Sequence, residues 1–141
     1  MKLSVIILTK NEAEVIKDCL ESVKGLADEI ILVDSSSTDD TTSIAQKFGA
    51  KIIAGAGDYA TLRNLGLKIA TGDWIFYLDA DERVSPELAK DIESTIRHKP
   101  SAIGYVAYKF PRQNIIFGRW IKHGGYWPDP VHRLFKKDAL I

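Results

Sequence analysis

The sequence predicts an α/β domain built on a mostly parallel central sheet with helices on both faces. Three observations carry that prediction. Short apolar runs of strand length recur through the first part of the chain. They alternate with stretches whose apolar residues repeat at helical spacing. The first, second and fourth runs are followed by polar residues, as expected where parallel strands end at a ligand-binding rim.

The elements follow in order. "LSVIIL" (3–8) reads as a buried strand, and behind it Val15, Ile16, Cys19, Leu20 and Val23 share one helical face. "EIILV" (29–33) is the second strand. "STDDTTSIAQKFGA" then offers capping residues at one end of a short helix and a glycine stop at the other, before a third strand, "KIIA" (51–54). A helix from Tyr59 through Ala70 ends at Thr71-Gly72 and leads into "WIFYL" (74–78). Strands separated by helices are joined by crossovers and therefore run parallel. Ser85-Pro86 supplies an N-cap followed by proline at the first helical position, and Leu88, Ile92 and Ile96 form that helix's apolar stripe. Beyond Pro100 the pattern changes to two strand-like segments, "IGYVAYKF" (103–110) and "VHRLF" (131–135), around a loop rich in glycine and aromatics.

Composition bounds the function. The 141 residues contain 45% hydrophobic side chains and show no repeat, linker or low-complexity tract, so one globular domain is expected. Nineteen basic residues balance nineteen acidic ones, which gives no reason to expect a nucleic-acid partner. The distribution is uneven: Arg97–Lys137 holds nine basic residues against one acid, Asp129, while residues 1–96 hold ten against seventeen. One cysteine, Cys19, excludes an internal disulfide, suits a reducing compartment and, on an apolar helix face, reads as packing. With no signal-like opening and no apolar run of about eighteen residues, a cytoplasmic protein is expected. His98 reads as a surface residue at a helix C-terminus, and His123 and His132 share no ligand spacing with the cysteine, which argues against zinc.

The chemistry gathers after the strands: Thr9, Asn11 and Glu12 after the first, Asp34 to Asp39 after the second, and Asp79, Asp81 and Glu82 after the fourth. Asp79 and Asp81 cannot both stay ionised close together without compensation, and a hard divalent cation supplies it. Mg2+ or Mn2+ carrying a diphosphate fits Asp-X-Asp at a strand end; an exposed acidic turn that caps the next helix is the structural alternative. Asp34 could also serve as a cap, but Ser37, Thr38 and Asp39 make it redundant there. "LTKNEAE" contains no Gly-X-Gly-X-X-Gly, which disfavours a dinucleotide, and no Walker loop is present.

Taken together, "VIILTKNEAEVIKDCLESVKGLADEIILVDSSSTDDTTSIAQKFGAKII", "RNLGLKIATGDWIFYLDADERVSPEL" and "GRWIKHGGYWPDPVHRLF" closely resemble the family-2 inverting glycosyltransferases of the GT-A fold. The similarity is nearest to the lipopolysaccharide-core type that adds a β-glucose. The resemblance implies transfer of a sugar, with inversion, from a nucleotide-diphosphate donor, expected to be a UDP-sugar, to a saccharide or lipid-linked acceptor. It places Thr9, Asn11 and Glu12 at the nucleoside, Asp34 on the base, Arg63 at the pyrophosphate, Asp79 on ribose or metal, and Asp81 on the metal. Ser36 and Asp40 depart from it, standing where such proteins often carry glycine.

An inverting transfer needs a general base near the acceptor hydroxyl. Asp129, in "GGYWPDP", is the candidate, with a turn-forming aspartate between prolines as its alternative. Arg119, His123 and Trp127 are weaker acceptor candidates, and Trp120, Tyr126 and Trp127 suit either a sugar platform or the core. The basic segment, with Arg112, Arg119, Lys122 and Arg133, is expected to meet an anionic glycolipid or the inner membrane face peripherally. One domain over 1–141 is expected, with a nucleotide-binding half at about 1–84 and an acceptor half at about 85–141. Because similar proteins continue further, a truncated acceptor side with a base beyond Ile141 is a second expectation. The alternatives from other classes are a nucleotide-sugar-binding fragment without transfer and a sugar nucleotidyltransferase; the latter would need a glycine-rich basic loop that "LTKNE" does not supply.

Overall fold

The computed structural model describes residues 1–98 and 104–140. Its elements are β1 (Leu3–Thr9), α1 (Ile16–Val23), β2 (Glu29–Asp34), α2 (Thr41–Lys47), β3 (Lys51–Ala54), α3 (Tyr59–Ile69), β4 (Trp74–Asp79) and α4 (Pro86–His98). Then come β5 (Ala107–Arg112), β6 (Ile115–Ile116), β7 (Arg119–Trp120), β8 (Asp129–Lys136) and a closing 3-10 turn, Lys137–Ala139. Six strands form one sheet in the order β3-β2-β1-β4-β8-β5. β1 pairs in parallel with both β2 and β4, β2 with β3, and only β8 runs against its neighbours. The α/β, mostly parallel architecture of the GT-A class is therefore present.

The apolar runs are unbroken because these strands are covered on both faces. Val5, Ile7, Trp74, Phe76 and Leu78 pack with Ile16, Cys19 and Leu20 of α1, Ala45 of α2, and Ile92 and Ile96 of α4. Ile6, Ile31, Val33, Ile75 and Tyr77 face Leu62 and Leu67 of α3. That second layer is tight. A Cβ on Gly66 would lie 2.6 Å from Ile6 Cγ2 and 3.2 Å from Val33 Cγ2, so only glycine lets α3 seat at this depth. Arg63, one turn earlier on α3, lies over the Tyr77 ring of β4.

The register fixes the rim. Thr9 lies opposite Asp34, and Leu8 lies opposite Asp79, so the polar strand ends expected at the ligand edge are neighbours. At the other end of the sheet, Glu29 accepts from Ser4 Oγ, the Thr71 amide and Lys51 Nζ, tying β1, β2, β3 and the turn into β4 together. A cavity of about 430 Å³ lies there too, lined by Lys2, Ser4, Glu29, Lys51 and Gly72 among others, remote from the rim.

The second half differs from the sequence reading in detail. Ile103, the first residue of the expected 103–110 strand, lies outside the described residues; residues 104–106 carry no strand, and β5 runs instead from Ala107 to Arg112. It can pass through Pro111 because it is the edge strand, where one face of the backbone needs no donor. β8 is longer than 131–135 and enters between β4 and β5. The loop between them contains a small β6–β7 hairpin whose turn, Phe117-Gly118, has φ of 49° and 73°. Both values suit the tight hairpin turn normally made by Asn-Gly or Asp-Gly.

Candidate active site at the carboxyl rim

The first two loops are built as one unit. The Asn11 amide donates to Ser37 Oγ at 2.8 Å, the Glu12 amide to Thr41 Oγ1 at 2.8 Å, and the Ala13 amide to Asp39 Oδ2 at 3.0 Å. In return Asn11 Oδ1 accepts from the Thr38 amide at 2.8 Å. Asn11 and Ser36 have φ of 56° and 61°. Ser36 thus holds the left-handed conformation that glycine adopts at least cost, in keeping with the glycine expected there by resemblance. Asp34 is buried at the centre of this unit. Its Oδ1 accepts from Thr9 Oγ1 (3.1 Å) and Ser37 Oγ (2.5 Å), and its Oδ2 from the Ser37 amide (2.9 Å), which leaves acceptor capacity on Oδ2.

The Asp-Ala-Asp turn treats its two acids differently. Asp79 Oδ2 accepts from Arg133 Nη2 at 2.6 Å, and its Oδ1 lies 3.7 Å from Arg63 Nη2. Arg63 also stacks over Tyr77, 5.4 Å from the ring centroid. Glu82 closes the turn: its amide donates to the Asp79 carbonyl at 2.9 Å, Oε2 accepts from the Asp79 amide at 3.1 Å, and Oε1 accepts from Arg133 Nη2 at 2.6 Å. Asp81 is exposed, and among the described residues its carboxylate has no partner; only its carbonyl is used, by Arg83 at 3.1 Å. Burial first, then the facing charges of Asp81 and Asp39, push the Glu12 carboxyl above its ordinary range. A cation at Asp81 would relieve that field.

No group of three or more Asp, Glu, His or Cys among the described residues is placed to hold a metal alone. One outward carboxylate nevertheless fits Mg2+ or Mn2+, which keep several positions for waters and substrate phosphate oxygens. Cys19 donates to the Asp79 carbonyl at 3.6 Å, and burial pushes its thiol up to about 12, so it serves packing.

On the other side of the rim, Asp129 Oδ2 accepts from Arg112 Nε and Nη2 at 3.0 and 2.7 Å and from Asn114 Nδ2 at 3.1 Å. Its Oδ1 carries no hydrogen bond among the described residues. The Asn114 contact, followed by Arg112, holds the Asp129 carboxyl below its ordinary range, so it is ionised at neutral pH. Arg112 Nη1 also reaches Glu82 Oε1 at 3.5 Å. A continuous line of ion pairs thus runs Asp129–Arg112–Glu82–Arg133–Asp79–Arg63.

Arg119 and His123 are exposed on the hairpin and the loop after it, while Trp127 is half-buried with its ring 5.1 Å from that of Trp120 at 88°. Lys122 Nζ sits 4.2 Å from the Trp120 ring. Of the basic residues expected to face an anionic surface, Arg133 is a correction: it is 7% exposed and ion-paired inside the rim. Arg112 is likewise engaged with Asp129 and Glu82. Sequence reasoning put Glu82 on the rim and Arg133 on an anionic surface, but did not find the ion pairs and hydrogen bond that join both to Asp79. The available signal was a charged residue inside the apolar strand "VHRLF", which demands a buried partner.

Residues 4–138 match the description "Glycosyl transferase family 2", and the chain belongs to that family. It is similar to an uncharacterized glycosyltransferase of Rickettsia felis, 45% identical over 93 residues, covering 65% of this chain and 33% of that protein. It also resembles glycosyltransferase SunS of the Bacillus subtilis SPbeta prophage, 40% identical over 85 residues, covering 57% and 20%. The chain spans about a third or less of the curated relatives it matches. Among solved structures, Staphylococcus aureus TarS (residues 1–349) superimposes with a TM-score of 0.66 at 23% identity, covering 99% of this chain and 48% of that one. Glucosyl-3-phosphoglycerate synthase of Mycobacterium tuberculosis, solved with Mn2+ and UDP, does so with 0.53 at 24% identity, covering 58% and 35%. At these identities the structures bear on the fold alone.

Proposed function

We propose that this chain forms the donor site and part of the acceptor site of an inverting glycosyltransferase using a UDP-sugar and building cell-envelope polysaccharide, as in the lipopolysaccharide core. Residues to about 84 hold the donor, and those from about 85 hold the acceptor. The observation that carries the reading is the ion-pair line joining Asp129 to the Asp-Ala-Asp turn, which links the two halves at the carboxyl rim.

Asp34, with acceptor capacity left on Oδ2, takes the uracil edge; Thr9, Asn11 and Glu12 shape the pocket around it. Asp79 is turned toward the ribose, Arg63 toward the diphosphate, and Asp81 holds Mg2+ or Mn2+. Bound there, the cation supplies Lewis-acid stabilisation of the diphosphate leaving group. Asp129 uses its free Oδ1 as general base toward the acceptor hydroxyl, while Arg112 and Asn114 fix its other oxygen and keep it ionised. Arg119, His123 and Trp127 border the acceptor.

The acceptor reading includes a lipid-linked saccharide reached by peripheral contact with an anionic inner membrane face. Ile115, Ile116 and Phe117 are exposed on the hairpin, Phe117 fully so, with Arg119 and Lys122 nearby. No helix among the described residues is long and apolar enough to cross a membrane. The test is UDP release and sugar transfer from a UDP-sugar panel to saccharide and lipid-linked acceptors with Mn2+. Transfer that disappears in Asp129→Asn while UDP still binds supports the reading. Binding without transfer by the unmodified chain reduces it to a nucleotide-sugar-binding unit.

A further inference from the structure

We infer that Arg133 divides the work of the Asp-Ala-Asp turn: it keeps Asp79 away from the metal, so the protein takes its cation only together with a nucleoside diphosphate. This rests on the donor-site reading above and adds a residue and an order of assembly to it.

Asp79 has a guanidinium at each oxygen, Arg133 at 2.6 Å and Arg63 at 3.7 Å. The Arg133 pair is the stronger, because Arg133 is 7% exposed and its second partner, Glu82, lies at the same 2.6 Å. A cation approaching Asp79 must therefore displace a buried guanidinium or sit beside its charge, and both are unfavourable. Asp81, two residues on, faces outward without a partner among the described residues. One exposed carboxylate is a weak site for a hydrated divalent ion, and the remaining oxygens must come from the diphosphate. Arg133 reaches this position from β8, whose register against β4 is set by Phe76↔Leu134 and Ile75↔Phe135. The strand inserted between β4 and β5 thus brings the counter-charge to the turn.

Removing the guanidinium should turn the motif into a two-carboxylate chelator. Arg133→Gln leaves Asp79 and Glu82 facing each other without their shared cation, and an added metal is then the available compensation. The prediction is a gain of binding, which a merely structural role for Arg133 would not produce. The probe is Mn2+ alone, followed by the loss of its free-ion electron paramagnetic resonance signal on titration with protein and no nucleotide. The unmodified protein should quench the signal only at millimolar levels, and Arg133→Gln should bind at least tenfold more tightly. Arg133→Lys, which keeps a charge, should behave like the unmodified protein. The double variant Arg133→Gln, Glu82→Gln preserves net charge and carries the same expected gain should the single variant fail to fold. Folded glutamine variants whose Mn2+ affinity does not rise would overturn the inference, as would a tenfold gain in Arg133→Lys or tight Mn2+ binding by the unmodified protein alone. A second arm adds UDP to the unmodified protein: if Mn2+ still does not bind, the donor-site reading fails, independently of Arg133.

Discussion

Replacing Glu29 by glutamine tests how firmly the amino end of the sheet is held. Burial alone would raise this carboxyl, but hydrogen bonds from Lys51, Ser4 and the Thr71 amide overcome it and hold the group at about 2 against an ordinary 4.5. Because the folded value is depressed, the stabilisation is complete above the unfolded value and is lost as pH falls toward the folded one. At about 1.4 kcal/mol per unit, the shift corresponds to about 3 kcal/mol at pH 7, about 2 at pH 3.5 and about 1 at pH 2.5. Lys51 is 57% exposed, so its share is screened, and about 2 kcal/mol at neutral pH is the expected effect. Glutamine cannot substitute: one end of its amide accepts, but the other sets a donor against either Lys51 or the Ser4 and Thr71 donors. Urea unfolding should therefore show a gap of about 2 kcal/mol between the two proteins at pH 7 that narrows steadily toward pH 3. A gap below about 0.5 kcal/mol, as an exposed ion pair gives, or one that ignores pH and so does not depend on the carboxyl's charge, would refute the reasoning.

Asp34→Ala should narrow the preference for UDP over other nucleoside diphosphates in competition binding, since a site built to pair a polar edge loses discrimination when its partner goes; an unchanged profile would make Asp34 only the anchor of Ser37. Phe117→Asp should lower co-sedimentation with anionic vesicles several-fold while UDP affinity is unaltered, and sedimentation should fall as salt rises. Equal sedimentation with neutral and anionic lipid at low salt would instead leave the hairpin to a protein partner or the acceptor.

The first half of the chain, through β4, was legible because the local pattern there matches the place of each strand in the sheet. β1, β2 and β4 are buried on both faces, so their composition announces them, and Thr9, Asp34 and Asp79 follow as the residues that end them. The second half was not. β8 is defined by pairing with β5 and, more distantly in sequence, with β4, where Trp74 meets Lys136, and the hairpin turn uses Phe117 where Asn or Asp is the usual sign. The clamp on Asp79 comes from Arg133, 54 positions away, and no spacing rule reports such a pair. Ser36 gave a partial signal, since the glycine expected there by resemblance pointed to the left-handed loop that the structure contains.

The central claim is that this rim binds a nucleoside diphosphate through a cation on Asp81. Asp81→Asn isolates it, because the side chain is exposed and unpartnered among the described residues, so thermal stability should be unaffected. Titration calorimetry of UDP with Mn2+ should give at least tenfold weaker binding in Asp81→Asn, about 1.4 kcal/mol, and a comparable loss in the unmodified protein when the metal is chelated. Equal affinities with and without Mn2+, or in the two proteins, would contradict the account.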